Sequence, residues 1–238
     1  MQAYKESVKI EANMDEKRTI LLAIKYCPHQ DSIKTTLKSR YNVLMTGTAK
    51  ATVNLLNHRS PHMVLVDFNM DGVVMIKSLR KIYDAPIIVL LENVDANTIV
   101  DALDAGANDV LILPFGSAEH LARIRAALRF NANKPRSISE VFSANGLVIN
   151  YGSREVTVNG CHVHLTPIEF RIMTFLCTNA GQVLSHDQII NEVWGPYNSD
   201  NLVLRVNIAN IRRKIETNPA EPKYIVTEAG VGYRVISD

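Results

Sequence analysis

The densest cluster of side chains able to recognise a partner lies in LVLRVNIANIRRKIE, residues 202–216. Read as a helix at about 100° per residue, this stretch puts Leu204, Ile208, Ile211 and Ile215 in one narrow apolar stripe, which must face a core. Val206, Ala209, Asn210 and Arg213 stand opposite, and Arg205 and Arg212 lie together along one side. Asparagine can pair bidentately with an adenine edge, valine can contact a thymine methyl, and guanidiniums beside them can hold phosphates. Arg205, Val206, Asn207, Ala209, Asn210, Arg212 and Arg213 form the candidate nucleic-acid contacts, joined by Thr227 from a later hairpin. The same arginines, with Lys214, also suit the solvated face of a surface helix, so the pattern alone leaves both readings open.

Other chemistry-bearing residues are sparse. Asp67 closes the apolar run MVLVD. Cys161, His162 and His164 resemble a ligand cluster, but on a strand the two histidines share one face and the cysteine takes the other. No metal site, cofactor or enzymatic activity is expected. Cys27, Cys161 and Cys177 are odd in number and widely separated, which suits reduced thiols better than disulfides.

Bulk charge does not announce DNA. The net charge is +2, and from residue 137 onward 8 Lys and Arg face 10 Asp and Glu. Any attraction to phosphate must come from the local cluster, because the summed field of this half is slightly repulsive. The chain of 238 residues, 47% apolar, is long enough for two cores. No run approaches the roughly 18–20 apolar residues of a membrane span, and the start MQAYKESVKIEANMDEKR is polar, so a cytoplasmic protein without a membrane partner is expected.

The elements that must carry these residues follow from periodicity. Continuous apolar runs at 19–24, 63–66, 87–91 and 110–113 read as strands buried on both faces of a parallel sheet. Helical patterns at 32–38, 49–57, 73–81, 95–105 and 118–129 alternate with them, which means α/β architecture with an open, doubly wound sheet. The polar segment NANKPRSIS marks a linker. Beyond it, 146–150 and 155–158 read as strands. Thr166, Pro167 and Glu169 form a start signal for a helix over 168–178, followed by helices at 185–193 and 202–216. A hairpin, 224–228 with 232–236, closes the chain. Three helices and a terminal hairpin make a winged helix, in which the third helix enters the major groove. The expected division is an extension at 1–17 with no fixed structure, a first domain at 18–130, a linker at 131–140 and a DNA-binding domain at 141–238.

The stretches HLTPIEFRIMTFLCTNAGQVLSHDQIINEVWGP, LRVNIANIRRKIE and YIVTEAGVGYRV resemble the effector domain of OmpR/PhoB-type response regulators, most nearly the KdpE branch. PHMVLVD, APIIVLL, DALDAGANDVLILPF and AEHLARIRAALR resemble the receiver domain of that family. The resemblance implies a (βα)5 receiver followed by a winged helix, with Asp67 at the place of the phosphoacceptor. It also exposes departures. Where the acidic pair that would hold Mg²⁺ belongs come Ile24, Lys25 and Tyr26, with no carboxylate before Asp31, and the hydroxyl and lysine positions hold Leu91 and Leu113. Val110 stands for the switch aromatic, and the loop FNMDGVVM is about three residues short. Two leucines offer nothing to phosphoryl oxygens, so a phosphorylation-independent receiver is expected, with Asp67 vestigial and Lys25 a candidate fixed cation beside it.

The family pairs receivers through the fourth helix, fifth strand and fifth helix. Carried over, this makes Asn108, Asp109, Glu119, Arg123 and Arg125 the candidate homodimer interface, with Asp109 and Arg123 as a charge pair across it. The expected partners are double-stranded DNA with a direct repeat or two half-sites and a second copy of the chain, and the resemblance implies that residues 195–201 contact either DNA backbone or RNA polymerase. A histidine kinase is left open. Two alternatives stand beside this reading: a conventional two-component regulator phosphorylated on Asp67, and an interaction module that sequesters a kinase or another regulator.

Overall fold

The computed structural model describes residues 17–25, 29–93, 95–116, 118–129, 141–195 and 201–237. The expected extension apart from Lys17, the linker, Cys27 and most of the loop 195–201 lie outside them.

The first domain runs β1 (Thr19–Ala23), α1 (Gln30–Lys38), β2 (Asn42–Thr46), α2 (Ala49–Leu56), β3 (Met63–Asp67), α3 (Gly72–Arg80), β4 (Ile87–Leu91), α4 (Ala96–Asp104), β5 (Asp109–Ile112) and α5 (Ala118–Arg129). Its five strands form a sheet of order β2-β1-β3-β4-β5, parallel throughout. β3 and β4 are buried along their whole length, as their unbroken apolar runs require. β2 has no counterpart in the apolar runs. It is the edge strand, pairing only with β1 and half exposed, so NVLMT lacks the signature of a strand covered on both faces. Thr48 and Asp95 cap α2 and α4 by accepting bonds from Ala51 N and Thr98 N, each cap contributing about 1 kcal/mol.

The second domain begins with an antiparallel sheet of β6 (Val141–Ala144), β7 (Leu147–Asn150), β8 (Glu155–Val158) and β9 (Cys161–His162), two strands more than the sequence pattern indicated. α6 (Pro167–Thr178) starts at the expected capping box: Thr166 Oγ1 accepts from Glu169 N, and Thr166 N donates to Glu169 Oε2 at 2.7 Å. β10 (Leu184–Ser185), α7 (His186–Trp194), α8 (Asn201–Ile215), β11 (Ile225–Glu228) and β12 (Gly232–Val235) complete the domain. β12 lies between β10 and β11, and Gly232 makes that approach possible, since a Cβ there would meet Leu184 O at 1.9 Å.

The two domains are packed on each other. One apolar cluster runs from Val89, Leu91, Ile99, Leu103 and Val110 of the first domain into Trp194, Val203, Val206 and Ile211 of the second. Among the described residues no helix is long and apolar enough to cross a membrane.

Candidate nucleic-acid interface

α8 buries the stripe read from its sequence: Leu204, Ile208, Ile211 and Ile215 are all within the core. Its other faces depart from expectation. Asn207, placed among the candidate nucleic-acid contacts, is buried, and its Nδ2 donates to Val203 O one turn earlier at 2.8 Å. It lies about 40–60° from the core stripe, close enough for packing to claim it.

Val206 and Asn210, the two residues with the best base-reading chemistry, are covered by α4 of the first domain. Val206 is 9% and Asn210 7% exposed, and Asn210 Nδ2 reaches Leu103 O at 3.5 Å. Arg213 extends from the same face to Asp104, with Nη2 to Oδ2 at 3.2 Å. Helical periodicity identified the face opposite the core correctly. It carried no information on what covers that face, because the covering helix lies about a hundred residues earlier in the chain.

Arg212 also has a different role from the expected phosphate contact. Its guanidinium donates to Ile225 O from Nε (3.1 Å) and Nη2 (2.6 Å) and to Thr227 Oγ1 at 2.8 Å, and lies over the Tyr233 ring. The side chain therefore ties α8 to the hairpin, and Thr227 is one of its anchors. Lys214 Nζ sits 2.6 Å from Glu169 Oε2, against the start of α6. Arg205 and Ala209 remain exposed on α8, and Thr227 on the hairpin.

The junction is built by two further contacts. The Trp194 indole, buried at the end of α7, donates to Asn108 O at 3.5 Å. Arg171 of α6 donates to Ala126 O of α5 at 3.1 Å. The Asn108 side chain is itself held from behind, its Oδ1 accepting from Ile87 N at 2.7 Å and from Arg80. Burial pulls the pKa of the Arg80 guanidinium down to about 10, and it spends its donors on Gly106 O, Tyr83 O, Ala85 O and Asn108.

Within the single chain the candidate dimer residues are placed as follows. Asn108 and Asp109 are buried. Arg123, taken as reaching Asp109 of another copy, pairs within the chain, with Nη1 to Asp109 Oδ1 at 3.3 Å and Nη2 to Glu119 Oε1 at 2.6 Å. Arg125 is exposed. Spacing cannot distinguish a pair within one chain from the same pair between two.

Asp67 closes β3 with its carboxylate buried, accepting from Asn69 N at 2.9 Å. Burial pushes its pKa up, against the lowering effect of the Asn69 and Lys25 backbone amides. Lys25 meets Asp67 through its backbone, and its side chain is exposed, so the fixed-cation reading is not supported. The positions that a receiver uses for Mg²⁺ hold buried Ile24 and exposed Lys25, neither of which offers a side-chain oxygen. The residues present do not fit the ion. Leu91 and Leu113 are buried nearby at the carboxyl ends of their strands, with Leu113 preceding Pro114.

Among the described cysteines, Cys177 is buried, with burial pushing its thiol pKa up, and Cys161 is exposed and free. Among the described residues no group of three His, Cys, Asp or Glu side chains is placed to hold a metal.

Comparison with known proteins agrees with this architecture. Residues 28–125 match the response regulator receiver domain family, and residues 160–235 match the family described as transcriptional regulatory protein, C terminal. The chain is 36% identical over 198 residues to the transcriptional regulatory protein KdpE of Mycobacterium tuberculosis, covering 82% of this chain and 88% of that protein. It is 37% identical over 180 residues to the KDP operon transcriptional regulatory protein KdpE of Escherichia coli, covering 74% and 80%. A solved structure of a RitR point mutant shares the fold, with a TM-score of 0.72 at 20% identity over 93% of this chain and 100% of that one.

Proposed function

The chain belongs to the OmpR/PhoB family of response regulators, and from that premise we propose that it binds promoter DNA as a dimer, without phosphorylation of Asp67. That it is a DNA-binding transcription regulator of the response-regulator type follows from the family. The control of binding is the proposal, and one observation carries it: the base-reading face of α8 is packed against α4. The closed arrangement is the resting form, and DNA is bound by a form in which α8 has left α4.

The closed form also bears on assembly. α8 and Trp194 occupy α4 and the start of β5, part of the face through which the family pairs its receivers. Opening would therefore free the DNA-reading helix and the dimer face together, coupling two-site DNA binding to dimerisation. The two half-sites would lie about one helical turn apart. Residues 195–201 remain the candidate contact for RNA polymerase. A histidine kinase has no part in this reading, and the place of action is the cytoplasm.

Independence from phosphate rests on the misfit at Ile24, Lys25, Leu91 and Leu113 around Asp67. The test uses DNA fragments selected by the purified full-length chain. Affinity is measured by fluorescence anisotropy with and without acetyl phosphate and Mg²⁺, and the protein is weighed by mass spectrometry. Equal affinity and no phosphoryl adduct are expected. An adduct on Asp67 with tenfold tighter binding would establish the conventional regulator instead. A salt titration separates both from a sequestering module, which would show no phosphate-driven slope.

A further inference from the structure

A cavity of about 230 Å³ opens where the two domains meet. Ile99 of α4, Val110 and Ile112 of β5, and Glu119, His120 and Arg123 of α5 line it, and Val203 in the first turns of α8 closes it from the second domain. One side is thus aliphatic and the other polar, the combination found in sites that bury a small ligand and orient it by a few groups. The volume suits a single ring with one substituent, and it is larger than a water or two would fill.

The polar side restricts the chemistry of the occupant. Arg123 already faces two carboxylates, Asp109 and Glu119, so an anionic ligand would add negative charge where the balance is already negative. Burial holds the His120 pKa below its ordinary value, so the imidazole, stacked on Phe115, supplies no compensating cation at neutral pH. A cationic ligand would sit beside the guanidinium and offer it no acceptor. Arg123 Nε is closed off from solvent and finds no acceptor among the described residues. A small swing of this side chain would bring Nε–H to a ligand oxygen and relieve a desolvated donor. A hydroxyl meets both demands: its oxygen accepts from Arg123 and its proton is donated to Glu119.

We propose that this cavity is an effector site for a small uncharged ring compound bearing a hydroxyl, of the phenol class, whose binding holds the two domains closed. The ring lies against Ile99, Val110 and Val203, and the hydroxyl points to Glu119 and Arg123. Both domains contribute to the wall, so the ligand binds the closed form in preference to the open one. By linkage it must then weaken DNA binding. This part rests on the closed form being the one that cannot read DNA.

The test titrates the full-length chain with phenol, toluene and benzoate by calorimetry, and repeats the phenol titration on Val110→Phe, whose ring fills the cavity from within. Expected are one-to-one binding of phenol, weaker binding of toluene and of benzoate, and at least tenfold weaker phenol binding by the variant. Should the variant misfold, the ligand series alone still decides. No phenol binding, or binding unchanged in a folded Val110→Phe, overturns the site. Phenol at about 100 times its dissociation constant should weaken DNA affinity by up to about 100-fold. Binding that leaves DNA affinity unchanged overturns the control. Because calorimetry reads the ligand without DNA, loss of the site is distinguishable from failure of the closed-form reading.

Discussion

Arg213 of α8 and Asp104 at the end of α4 form an ion pair across the domain junction, 3.2 Å between Nη2 and Oδ2. The pair holds the arginine against a carboxylate of the receiver, and the proposed function has it meet DNA only once that pair opens. The pair is half exposed, with side-chain exposures of 55% and 35%, so its own contribution is small, about 0.2–1 kcal/mol. Its value is diagnostic, because it can be broken without disturbing either core. Asp104→Lys puts two like charges at the junction and should tighten DNA binding about two- to fivefold. Anisotropy at low salt checks the affinity, and the gain should shrink as salt rises.

Arg212 holds the hairpin to α8. Arg212→Ala removes its donors to Ile225 O and Thr227 Oγ1 and should lower the stability of the full chain by about 1–3 kcal/mol, measured by urea unfolding. Arg212→Lys keeps the charge but not the planar fork, and should recover less than half of that loss. If Lys restores stability fully, the bond network is not what the arginine supplies.

Arg205 and Asn210 should separate into different classes of DNA contact. Arg205 is exposed at the edge of the reading face, so Arg205→Ala should weaken binding to all sequences alike and reduce the salt slope by about 1. Asn210→Ala should instead cost about 1–3 kcal/mol of discrimination at one base pair, with the salt slope unchanged. The opposite pattern would exchange their roles.

Asp67 predicts a pH dependence whose sign follows from its raised pKa. A folded-state carboxyl with a raised pKa holds its proton better than the unfolded one. The stability it contributes is complete below the unfolded pKa and is lost as pH rises through the folded pKa. Asp67→Asn keeps the shape and an oxygen to accept from Asn69 N, but never ionises. The variant should therefore melt at a higher temperature than the parent at pH 7, with the gain vanishing below about pH 4. Its DNA affinity should match the parent's.

Much of this structure was legible in the sequence because it depends on local pattern. The buried strands announced themselves as unbroken apolar runs, α6 as Thr166, Pro167 and Glu169, and the inner face of α8 as Leu204, Ile208, Ile211 and Ile215. β2 escaped because an edge strand need not be apolar on both faces. The site was legible only in part. Periodicity separated the two faces of α8, but the burial of Val206 and Asn210 depends on Leu103 and Asp104, which no local pattern links to them. Asp109 and Arg123 were recognised as partners, yet whether a pair closes within a chain or between chains is decided by tertiary distance.

The central claim is that DNA binding requires α8 to leave α4. Trp194 is the single tryptophan of the chain and is buried at that junction, its indole bonded to Asn108 O, so it reports the separation without any label. Acrylamide quenching of its fluorescence, measured as selected DNA is titrated into the full-length protein, should rise in proportion to DNA occupancy, together with a red shift of the emission. Quenching that stays at the level of the free protein when DNA is saturating would contradict the account, for the reading helix would then engage DNA with the junction closed.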